Sequence, residues 1–467
     1  MIYSRQKQRS PSTWPWWALL AVLVILTRLP FLGHGYGADP DAWRVVVAAN
    51  HLIDTGVYVP SRPPGYPLPE YVASLLVRLG MGGPEWLVLP SVLLSGVVSA
   101  LIFLIAQPFG RERAVAVALA FALTPVVFIA SLGAMDYLWG LSFFLGAVLA
   151  IVHGKMGWGA LLLGLAAASR STYSLGYLPL ALLSIHFDWR QLRMAATWRR
   201  LSMLALVSGT IALLFYLPLL LDVGLRLLRM PSGHLDPVVN AYTATVGLLG
   251  LWGFLGMALA VGMAWRARRL DQIPRTLVRT DLQGLSWTLI VLYGLLFVRL
   301  PDEAAYLIPA LFGLYVLLAN TAPKVVLWLL VACMALSCFV GQVIRNDQGR
   351  LTLAWRGPVL QDQDMQDRRR CVAQVVRTHL KATPEQKMIV VAEYRPQLLV
   401  LIGAPWSGRV LYTVERTASG ALSDTEGVPI LAGARIDVLD RAQKQQASLI
   451  PLDQLGGSVI DSRALCY

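Results

Sequence analysis

WPWWALLAVLVILTRLPF at residues 14–31, followed by GADPDAWR at residues 37–44, decides the class of this protein. The first stretch is apolar and long enough to cross the roughly 30 Å of hydrocarbon in a bilayer. Because it follows the basic residues Arg5, Lys7 and Arg9, a secretory signal peptide is the alternative. No small-residue cleavage site is evident after it, and we interpret it as a retained first span.

The composition of the whole chain is that of a membrane protein. Of the 467 residues, 56% are hydrophobic and 14% are charged, and the mean hydropathy is +0.58. An ordinary soluble domain has roughly 25% charged residues, so a water-soluble fold is excluded for most of the chain. The net charge is +13, but the basic residues lie in short clusters between apolar runs, which argues against nucleic acid as a partner.

The apolar stretches predict about eleven membrane-spanning helices. They lie near residues 14–32, 86–107, 114–132, 137–153, 158–169, 174–187, 201–222, 244–265, 284–299, 304–320 and 324–344. The stretch 158–169 is short, and it either crosses alone or pairs with 174–187 as a re-entrant hairpin. Both interpretations leave the orientation of the other helices unchanged.

Positive charge on every second connection predicts that the N-terminus is cytoplasmic. The basic connections contain Arg5 to Arg9, Arg111 and Arg113, Lys155, Arg190 to Arg200, Arg266 to Arg279, and Lys324. The connections at 33–85, 133–136, 170–173, 223–243 and 300–303 then lie outside, as does everything after about residue 345. We therefore expect a multi-pass protein of the plasma membrane whose catalytic loop is 33–85.

Residues 346–467 predict a small soluble α/β domain in the periplasm or on the cell exterior, after a transmembrane domain at 1–345. Its short apolar runs, such as Met388 to Ala392 and Arg409 to Thr413, alternate with helical patterns such as Cys371 to Leu380. Such a compartment permits disulfides, so Cys371 and Cys466 either form one or Cys466 is free in a loose tail. Cys333 and Cys338 lie in the last predicted span and are interpreted as packing residues.

Two acidic positions follow predicted spans on the outer side. Asp39 precedes Pro40, a common way to begin a helix, so it is either an N-cap or a catalytic carboxylate, with Asp41 close by. Asp136 precedes another span and either caps that helix, orients an acceptor or binds a metal. Capping is the interpretation that we favour for Asp136, because a lone acid gives no metal-ligand spacing.

Several arginines lie on the outer side against the positive-inside trend. They are Arg170, Arg62, Arg44 and Arg299, and Arg170 is the strongest candidate because an arginine at span depth is costly without a partner. Each can instead extend to a lipid headgroup. As a group they predict a site for an anion.

Three short motifs resemble C-type membrane glycosyltransferases, the superfamily that contains protein mannosyltransferases, lipid A aminoarabinose transferases and oligosaccharyltransferase catalytic subunits. They are the acidic GADPDAWR at 37–44, VYVPSRPPGYP at 57–67 and RLPDEAAYLIP at 299–309. The resemblance covers roughly residues 14–345. It implies a helical membrane enzyme that takes a sugar from a polyprenyl-phosphate donor.

The resemblance implies a role for each residue of the outer loops. Asp39, or Asp41 in its place, would be the general base of an inverting transfer without a covalent intermediate. The arginines would bind the donor phosphate. Residues expected to contact substrate are Asp136, Tyr66, Glu303, Tyr306 and His234, although His234 is also typical of a solvated loop. No cofactor is predicted, and a divalent metal is possible.

Two other functions remain alternatives at this point. A polymerase or ligase of undecaprenyl-linked oligosaccharide would use outer-face arginines, but such enzymes usually lack an acid directly after the first span. A transporter or lipid flippase would show repeated halves, broken helices and ionisable groups near the bilayer centre. The leading prediction is transfer of a sugar to a lipid, glycan or protein acceptor.

Overall fold

A computed structural model gives the architecture of the chain. It describes residues 16–224, 237–268, 277–301, 303–345 and 351–382, together with residue 400 and the short segments 388–391, 410–416, 422–424, 429–430 and 459–461. Sixteen α-helices and seven short strands lie in these ranges, with two of the strands between the last two helices and five after the last helix.

The first half of the chain is almost wholly helical. Its helices are α1 (Trp16–Leu26), α2 (Pro40–Thr55), α3 (Pro67–Arg78), α4 (Pro84–Ala106), α5 (Arg111–Ala122), α6 (Pro125–Ala130), α7 (Tyr137–Val152), α8 (Met156–Ser169) and α9 (Tyr177–Ser184). A 3₁₀-helix at Ser171–Gly176 joins α8 to α9. The helices α2 and α3 lie within the predicted catalytic loop, so this loop is ordered and not a simple connection.

The second half continues the bundle and then changes to mixed structure. Its helices are α10 (Ala195–Val223), α11 (Pro237–Tyr242), α12 (Leu248–Arg268), α13 (Leu277–Arg299), α14 (Ile308–Thr321), α15 (Lys324–Phe339) and α16 (Pro358–Ala382). The strands are β1 (Val340–Arg345), β2 (Leu351–Arg356), β3 (Met388–Val391), β4 (Val410–Arg416), β5 (Leu422–Asp424), β6 (Pro429–Ile430) and β7 (Val459–Asp461).

The protein is a multi-pass membrane protein. Five helical segments of the described chain are long and apolar enough to cross a bilayer: Pro84–Phe109, Ala195–Asp222, Pro237–Arg266, Thr280–Arg299 and Ala304–Thr321. The pair Arg111–Ala122 and Pro125–Ser131, bent by 68°, is a sixth if it forms one broken span. Four further apolar helices are shorter, at Trp16–Phe31, Tyr137–Val152, Met156–Ser169 and Lys324–Phe339. The predicted number of eleven spans stays a prediction.

Glycines allow the helices of the bundle to approach closely. A Cβ atom added to Gly164 of α8 would lie 2.9 Å from the carbonyl oxygen of Ser208 on α10. A Cβ at Gly313 of α14 would lie 2.7 Å from the carbonyl oxygen of Ser286 on α13. Packing of this kind drives helix association in lipid, where the hydrophobic effect between helices is absent.

A buried arginine stabilises the break between α5 and α6. The Arg28 side chain has no exposed surface, and its Nη2 donates to the carbonyl oxygen of Ala122 at the end of α5. Its Nε lies 3.3 Å from Oγ of Ser131, and its guanidinium carbon lies 4.1 Å from the centre of the Phe128 ring. Because carbonyls at a helix end lack partners within the helix, this contact gives Arg28 a structural role.

The predicted last span is too long at its C-terminal end. Helix α15 ends at Phe339, and the apolar residues that follow form strand β1, which pairs antiparallel with β2. The apolar run continues through this change, and therefore hydropathy alone did not detect it. The strands β3 to β7 form a separate sheet in the order β6-β5-β4-β3-β7, in which β3 is parallel to both β4 and β7.

The predicted strands at Met388 to Ala392 and Arg409 to Thr413 coincide in position with β3 and β4, and α16 includes the predicted helix. Whether residues 346–467 form an independent soluble domain stays a prediction. Cys371 is disulfide-bonded, whereas Cys333 and Cys338 have free thiols. Cys466 lies outside the described residues, so the pairing of Cys371 with Cys466 also stays a prediction.

Candidate active site

Four loops meet at one end of the helical bundle, which we call the site end. They are the segment from residue 33 to residue 66, the connection before α7, the residue after α8, and the connection before α14. Ion pairs link side chains from all four loops. At the opposite end, Lys324 pairs with Glu112 and Arg113 donates to the carbonyl oxygen of Ala319. Four of the connections predicted to lie outside thus meet in space, and the side of the membrane that they face stays a prediction.

Asp39 begins helix α2, as its sequence context predicts. It has the extended backbone of an N-cap residue, its side chain accepts a hydrogen bond of 2.8 Å from the backbone N–H of Asp41, and Pro40 is the first helical residue. The preceding Gly37 has a φ of 134°, and a Cβ there would lie 3.1 Å from the Cα of Gly133. Asp39 is thus both a cap and a member of the site.

Asp41 is neutralised by two arginines. Its Oδ2 lies 2.7 Å from Nη1 of Arg62, and its Oδ1 lies 3.2 Å from Nη1 of Arg44 one helical turn later. The exposed fraction of the Asp41 side chain is 18% and that of Arg62 is 8%. The closer pair is therefore largely removed from water, where its attraction is screened less than at an open surface.

Asp136 binds two arginines at once, so the interpretation of Asp136 as a helix cap is wrong. It precedes α7 but makes no capping hydrogen bond with its side chain. Instead its Oδ1 lies 2.6 Å from Nη2 of Arg62, and its Oδ2 pairs with Nη1 of Arg170. The exposed fractions are 3% for Asp136, 8% for Arg62 and 3% for Arg170. Charges this deeply buried are costly without partners, which explains why the side chain turns away from the helix N-terminus.

Tyrosine rings surround the two buried guanidinium groups. The guanidinium carbon of Arg62 lies 4.4 Å from the centre of the Tyr66 ring. That of Arg170 lies 4.2 Å from the Tyr137 ring, 4.8 Å from the Tyr306 ring and 5.5 Å from the Tyr66 ring. Cation–π contacts at such distances favour the charged form of arginine in a desolvated site. Tyr66 and Tyr306, predicted from the resemblance to bind substrate, thus contact the cations.

Glu303 lies near the carboxylates of Asp39 and Asp41 and also contacts Arg170. It accepts a hydrogen bond from Oη of Tyr137, and its Oε2 lies 3.6 Å from Nη2 of Arg170. At 3.6 Å this contact is an ion pair without a hydrogen bond. Among the described residues, Nη2 of Arg170 is one of the few buried side-chain atoms that has no hydrogen-bond partner. A buried N–H group in this state can donate a hydrogen bond to an anionic oxygen without displacing a protein group.

The surroundings of the site raise the pKa of one carboxylate and of two arginines. Burial, together with the negative charge of Asp41, raises the pKa of Asp39 to about 6. Burial lowers the pKa of Arg62 and Arg170, but the surrounding acidic groups, led by the carboxylate of Asp136, together outweigh burial, and both pKa values lie well above the ordinary range. The site therefore contains a carboxylate that titrates near neutral pH beside two permanently charged cations.

Three carboxylates could hold a divalent cation. Asp39, Asp41 and Glu303 each offer an oxygen atom, and these atoms lie within 4.8 Å of one another. Oxygen ligands of this kind suit Mg²⁺ or Ca²⁺. Arg62 and Arg44 already neutralise Asp41, so a cation would have to compete with them for that residue.

One of the predicted residues is not brought into this group of paired charges. Arg299 is the last residue of α13, and its side chain is exposed outside the group of paired charges described above. His234 lies outside the described residues. Arg44 lies at the edge of the cluster, where it also lines a cleft between α2 and residues 59–61.

Glu70 is the acidic residue that the sequence did not reveal. It lies on α3 with an exposed fraction of 1%, accepts a hydrogen bond of 2.5 Å from Oη of Tyr58, and accepts two more from the backbone N–H and the hydroxyl of Ser61. Burial raises its pKa to about 7. It thereby fixes the segment directly before Arg62. The local sequence does not distinguish Glu70 from a solvated acid on an amphipathic helix.

Solved structures share the fold. The crystal structure of ArnT from Cupriavidus metallidurans in the apo state has 14% sequence identity and a TM-score of 0.56, over 94% of this chain and 90% of that chain. ArnT bound to undecaprenyl phosphate has 15% identity and a TM-score of 0.55, over 83% and 84%. The apo oligosaccharyltransferase of Archaeoglobus fulgidus is less similar, with 12% identity and a TM-score of 0.48 over 83% and 63%.

The similarity to the two ArnT structures shows that the chain shares their fold, which is that of a C-type membrane glycosyltransferase. No protein-family model matches the sequence, and no curated protein matches it. The fold predicted from three short motifs is thereby confirmed, at a sequence identity too low to identify a substrate.

Proposed function

We propose that this protein transfers a sugar from a polyprenyl monophosphate to a lipid, glycan or protein acceptor at the outer face of the plasma membrane. The fold supports glycosyl transfer in general, and one of the two ArnT structures contains undecaprenyl phosphate. The single observation that carries the proposal is a buried pair of arginines next to a group of carboxylates. Arg62 and Arg170 both pair with Asp136, and Nη2 of Arg170 lacks a hydrogen bond. The neighbouring carboxylates are those of Asp39, Asp41 and Glu303.

The cationic half of the site suits the phosphate of the donor. Arg62 and Arg170 share one carboxylate, so together with Asp136 they carry a net charge of about +1. Arginine binds phosphate oxygens with two N–H groups, and Nη2 of Arg170 is available for such a contact. Two arginines also stabilise the negative charge that develops on the phosphate as it leaves, because the site is dry and preorganised.

The anionic half suits the acceptor, and Asp39 is the better candidate for the base. Asp41 is paired with Arg62 and Arg44, whereas Asp39 forms no ion pair within the part of the chain that the structure describes. A base is most effective when its pKa lies near the working pH, and the pKa of Asp39 is raised to about 6. This favours Asp39 over Asp41.

The chemical step is a single displacement. The acceptor oxygen attacks the anomeric carbon, the bond from that carbon to the phosphate oxygen breaks, and polyprenyl phosphate leaves with both bonding electrons. The acceptor proton goes to the carboxylate of Asp39. One displacement inverts the anomeric configuration, and the nearby negative charge of Glu303 stabilises the positive charge on the sugar.

We infer the direction of the site from charge. The end opposite to the site carries Arg111, Arg113 and Lys324, which are typical of the cytoplasmic side. A cysteine at the exposed Val57, in a background without other free thiols, is expected to react with an impermeant maleimide in intact spheroplasts. Labelling only after membrane disruption would contradict the outward orientation.

The proposed reaction is tested with purified protein in nanodiscs and a panel of synthetic donors. We expect transfer of sugar from a polyprenyl monophosphate donor to a component of a cell-envelope extract, with inverted configuration in the product. Activity with a diphosphate-linked donor alone would favour a polymerase or ligase. Transport of substrate in proteoliposomes without any glycosyl product would favour a transporter.

A further inference from the structure

We propose that helix α16, which follows the last predicted span, is a positioning element for the candidate base. Three of its side chains, Asp362, Gln366 and Arg369, hold the backbone of Gly37 and Ala38 directly before Asp39. This inference rests on the proposed function, because it assigns these residues a role in the transfer reaction. The sequence placed α16 in the C-terminal part of the chain, and no residue of α16 was predicted as a site residue.

The three side chains satisfy every polar backbone group of Gly37 and Ala38. Oδ1 of Asp362 accepts from the N–H of Ala38 at 3.0 Å, and Oε1 of Gln366 accepts from the N–H of Gly37 at 3.4 Å. Nη1 of Arg369 donates to the carbonyl oxygens of Ala38 at 2.8 Å and of Gly37 at 3.4 Å. Because each contact is specific to one backbone group, together they define both the position and the direction of this segment.

The three side chains of α16 are buried and lie on one face of the helix. The exposed fractions are 6% for Asp362, 3% for Gln366 and 7% for Arg369, values that are low for polar residues on a helix outside the bundle. They lie at positions i, i+4 and i+7, which share one face of a helix. Nε2 of Gln366 donates to Oδ2 of Asp362 at 2.8 Å, so the side chains also orient one another.

Residues 362–370 of α16 lie close to residues 33–38 of the loop. A Cβ atom at Gly35 would lie 1.9 Å from Oε1 of Gln366, so a larger residue there would displace this side chain. Arg370 donates to the carbonyl oxygen of Gly33, and Nδ1 of His34 lies 3.4 Å from Oδ1 of Asp367. From the bundle side, Nε1 of Trp43 donates to the carbonyl oxygen of Gly37 at 2.7 Å. The segment is therefore held between the bundle and α16.

This placement matters because Asp39 must meet the acceptor hydroxyl within hydrogen-bond distance. A displacement of about 1 Å can cost a reaction about 100-fold in rate. The donor-binding arginines are held by Asp136, which lies on the connection before α7. Loosening α16 is thus expected to affect the chemical step and to leave the binding of the donor unchanged.

Two substitutions of Asp362 separate positioning from folding. Asp362→Ala removes the acceptor for the N–H of Ala38, whereas Asp362→Asn retains an oxygen at that position. In Asp362→Asn the contact with the N–H of Ala38 is kept and the hydrogen bond that Oδ2 accepts from Nε2 of Gln366 is lost, so the two contacts are tested separately. Asp364→Asn is the matched control, because Asp364 lies on the same helix and pairs with Arg356 instead of the loop.

The experiment uses the full-length protein in nanodiscs, with the active fraction counted by binding of polyprenyl phosphate. We expect Asp362→Ala to lower kcat at least about tenfold at an unchanged KM for the donor. We expect Asp362→Asn and Asp364→Asn to stay within about threefold of the wild-type kcat. Hydrogen–deuterium exchange should show faster exchange of the Ala38 amide in Asp362→Ala only.

Two results would overturn the inference. If the Ala38 amide is as protected in Asp362→Ala as in the wild type, α16 does not hold the loop, whatever the reaction is. If this amide loses protection while kcat is unchanged, α16 holds the loop but does not position the base. Absence of transfer by the wild-type protein with every donor would refute the proposed function instead, and the exchange measurement would still decide the structural part.

Discussion

Nη2 of Arg62 lies 2.6 Å from Oδ1 of Asp136, although 73 residues separate the two along the chain and both side chains are buried. The second oxygen of the same carboxylate pairs with Arg170. One acid thus holds two cations from different loops at the site end. The shared carboxylate allows two arginines to lie side by side in the site with less mutual repulsion than two unpaired arginines would have.

Replacement of Asp136 is expected to destabilise the protein strongly. Asp136→Asn removes the carboxylate that two buried guanidinium groups share, so that Arg62 keeps only Asp41 and Arg170 only Glu303 as a countercharge. Loss of a buried partner costs about 3–5 kcal/mol. Thermal unfolding in detergent should show a clear decrease in Tm. Asp364→Asn, which removes an exposed ion pair with Arg356, should cost no more than about 1 kcal/mol. Equal Tm values for the two variants would refute the buried network.

Replacement of Arg170 is expected to weaken binding of the donor. Arg170→Lys retains the charge but removes the planar pair of N–H groups that suits phosphate, so the KM for the donor should rise about tenfold or more. Arg299→Gln is the comparison, because Arg299 is exposed outside the cluster, and its KM should change less than about twofold. A larger effect at Arg299 would show that the donor phosphate binds elsewhere.

The rate of transfer is expected to fall in acid because the base must be deprotonated. With the pKa of Asp39 raised to about 6, kcat/KM should decrease as the pH falls below about 6. The charge of Asp41 contributes to this rise, so Asp41→Asn should move the acid limb to lower pH. Asp54→Asn, at the exposed end of the same helix, should leave the limb in place. A shift to higher pH in Asp41→Asn would contradict this electrostatic account.

Glu70 is expected to be essential for the shape of the loop before Arg62. Glu70→Ala leaves the Tyr58 hydroxyl and both donor groups of Ser61 without their acceptor, at a cost of about 3 kcal/mol or more. The exposed Glu85 is the control, and Glu85→Ala should cost less than about 1 kcal/mol. Urea or thermal unfolding measures both, and similar values would mean that Glu70 is not a structural anchor.

The sequence predicted the class of the fold because hydropathy directly detects a helix in lipid. It also predicted that Asp39, Arg62, Asp136 and Arg170 belong to one site, since each lies on a connection of the same side. It did not predict that Asp136 holds both arginines. Contacts between loops that are distant in sequence depend on how the bundle packs, and no local pattern encodes them.

Two other features could not be predicted for related reasons. An acid such as Glu70 on an amphipathic helix is ordinarily solvated, and its burial depends on the loop that folds over it. The contacts of Asp362 and Arg369 with Ala38 span more than 320 residues of sequence. The helical periodicity of α16 places these side chains on one face but does not indicate what that face contacts.

The most direct test of the central claim compares sugar transfer by Asp39→Asn and by Asp188→Asn. Each aspartate accepts a hydrogen bond from the backbone N–H two residues later, at 2.8 Å for Asp39 and 3.0 Å for Asp188, but Asp188 lies at the opposite end of the bundle. The account predicts that Asp39→Asn binds the monophosphate donor normally and lowers kcat at least about 100-fold, while Asp188→Asn transfers sugar at the wild-type rate. Wild-type kcat in Asp39→Asn would show that this carboxylate is not the base.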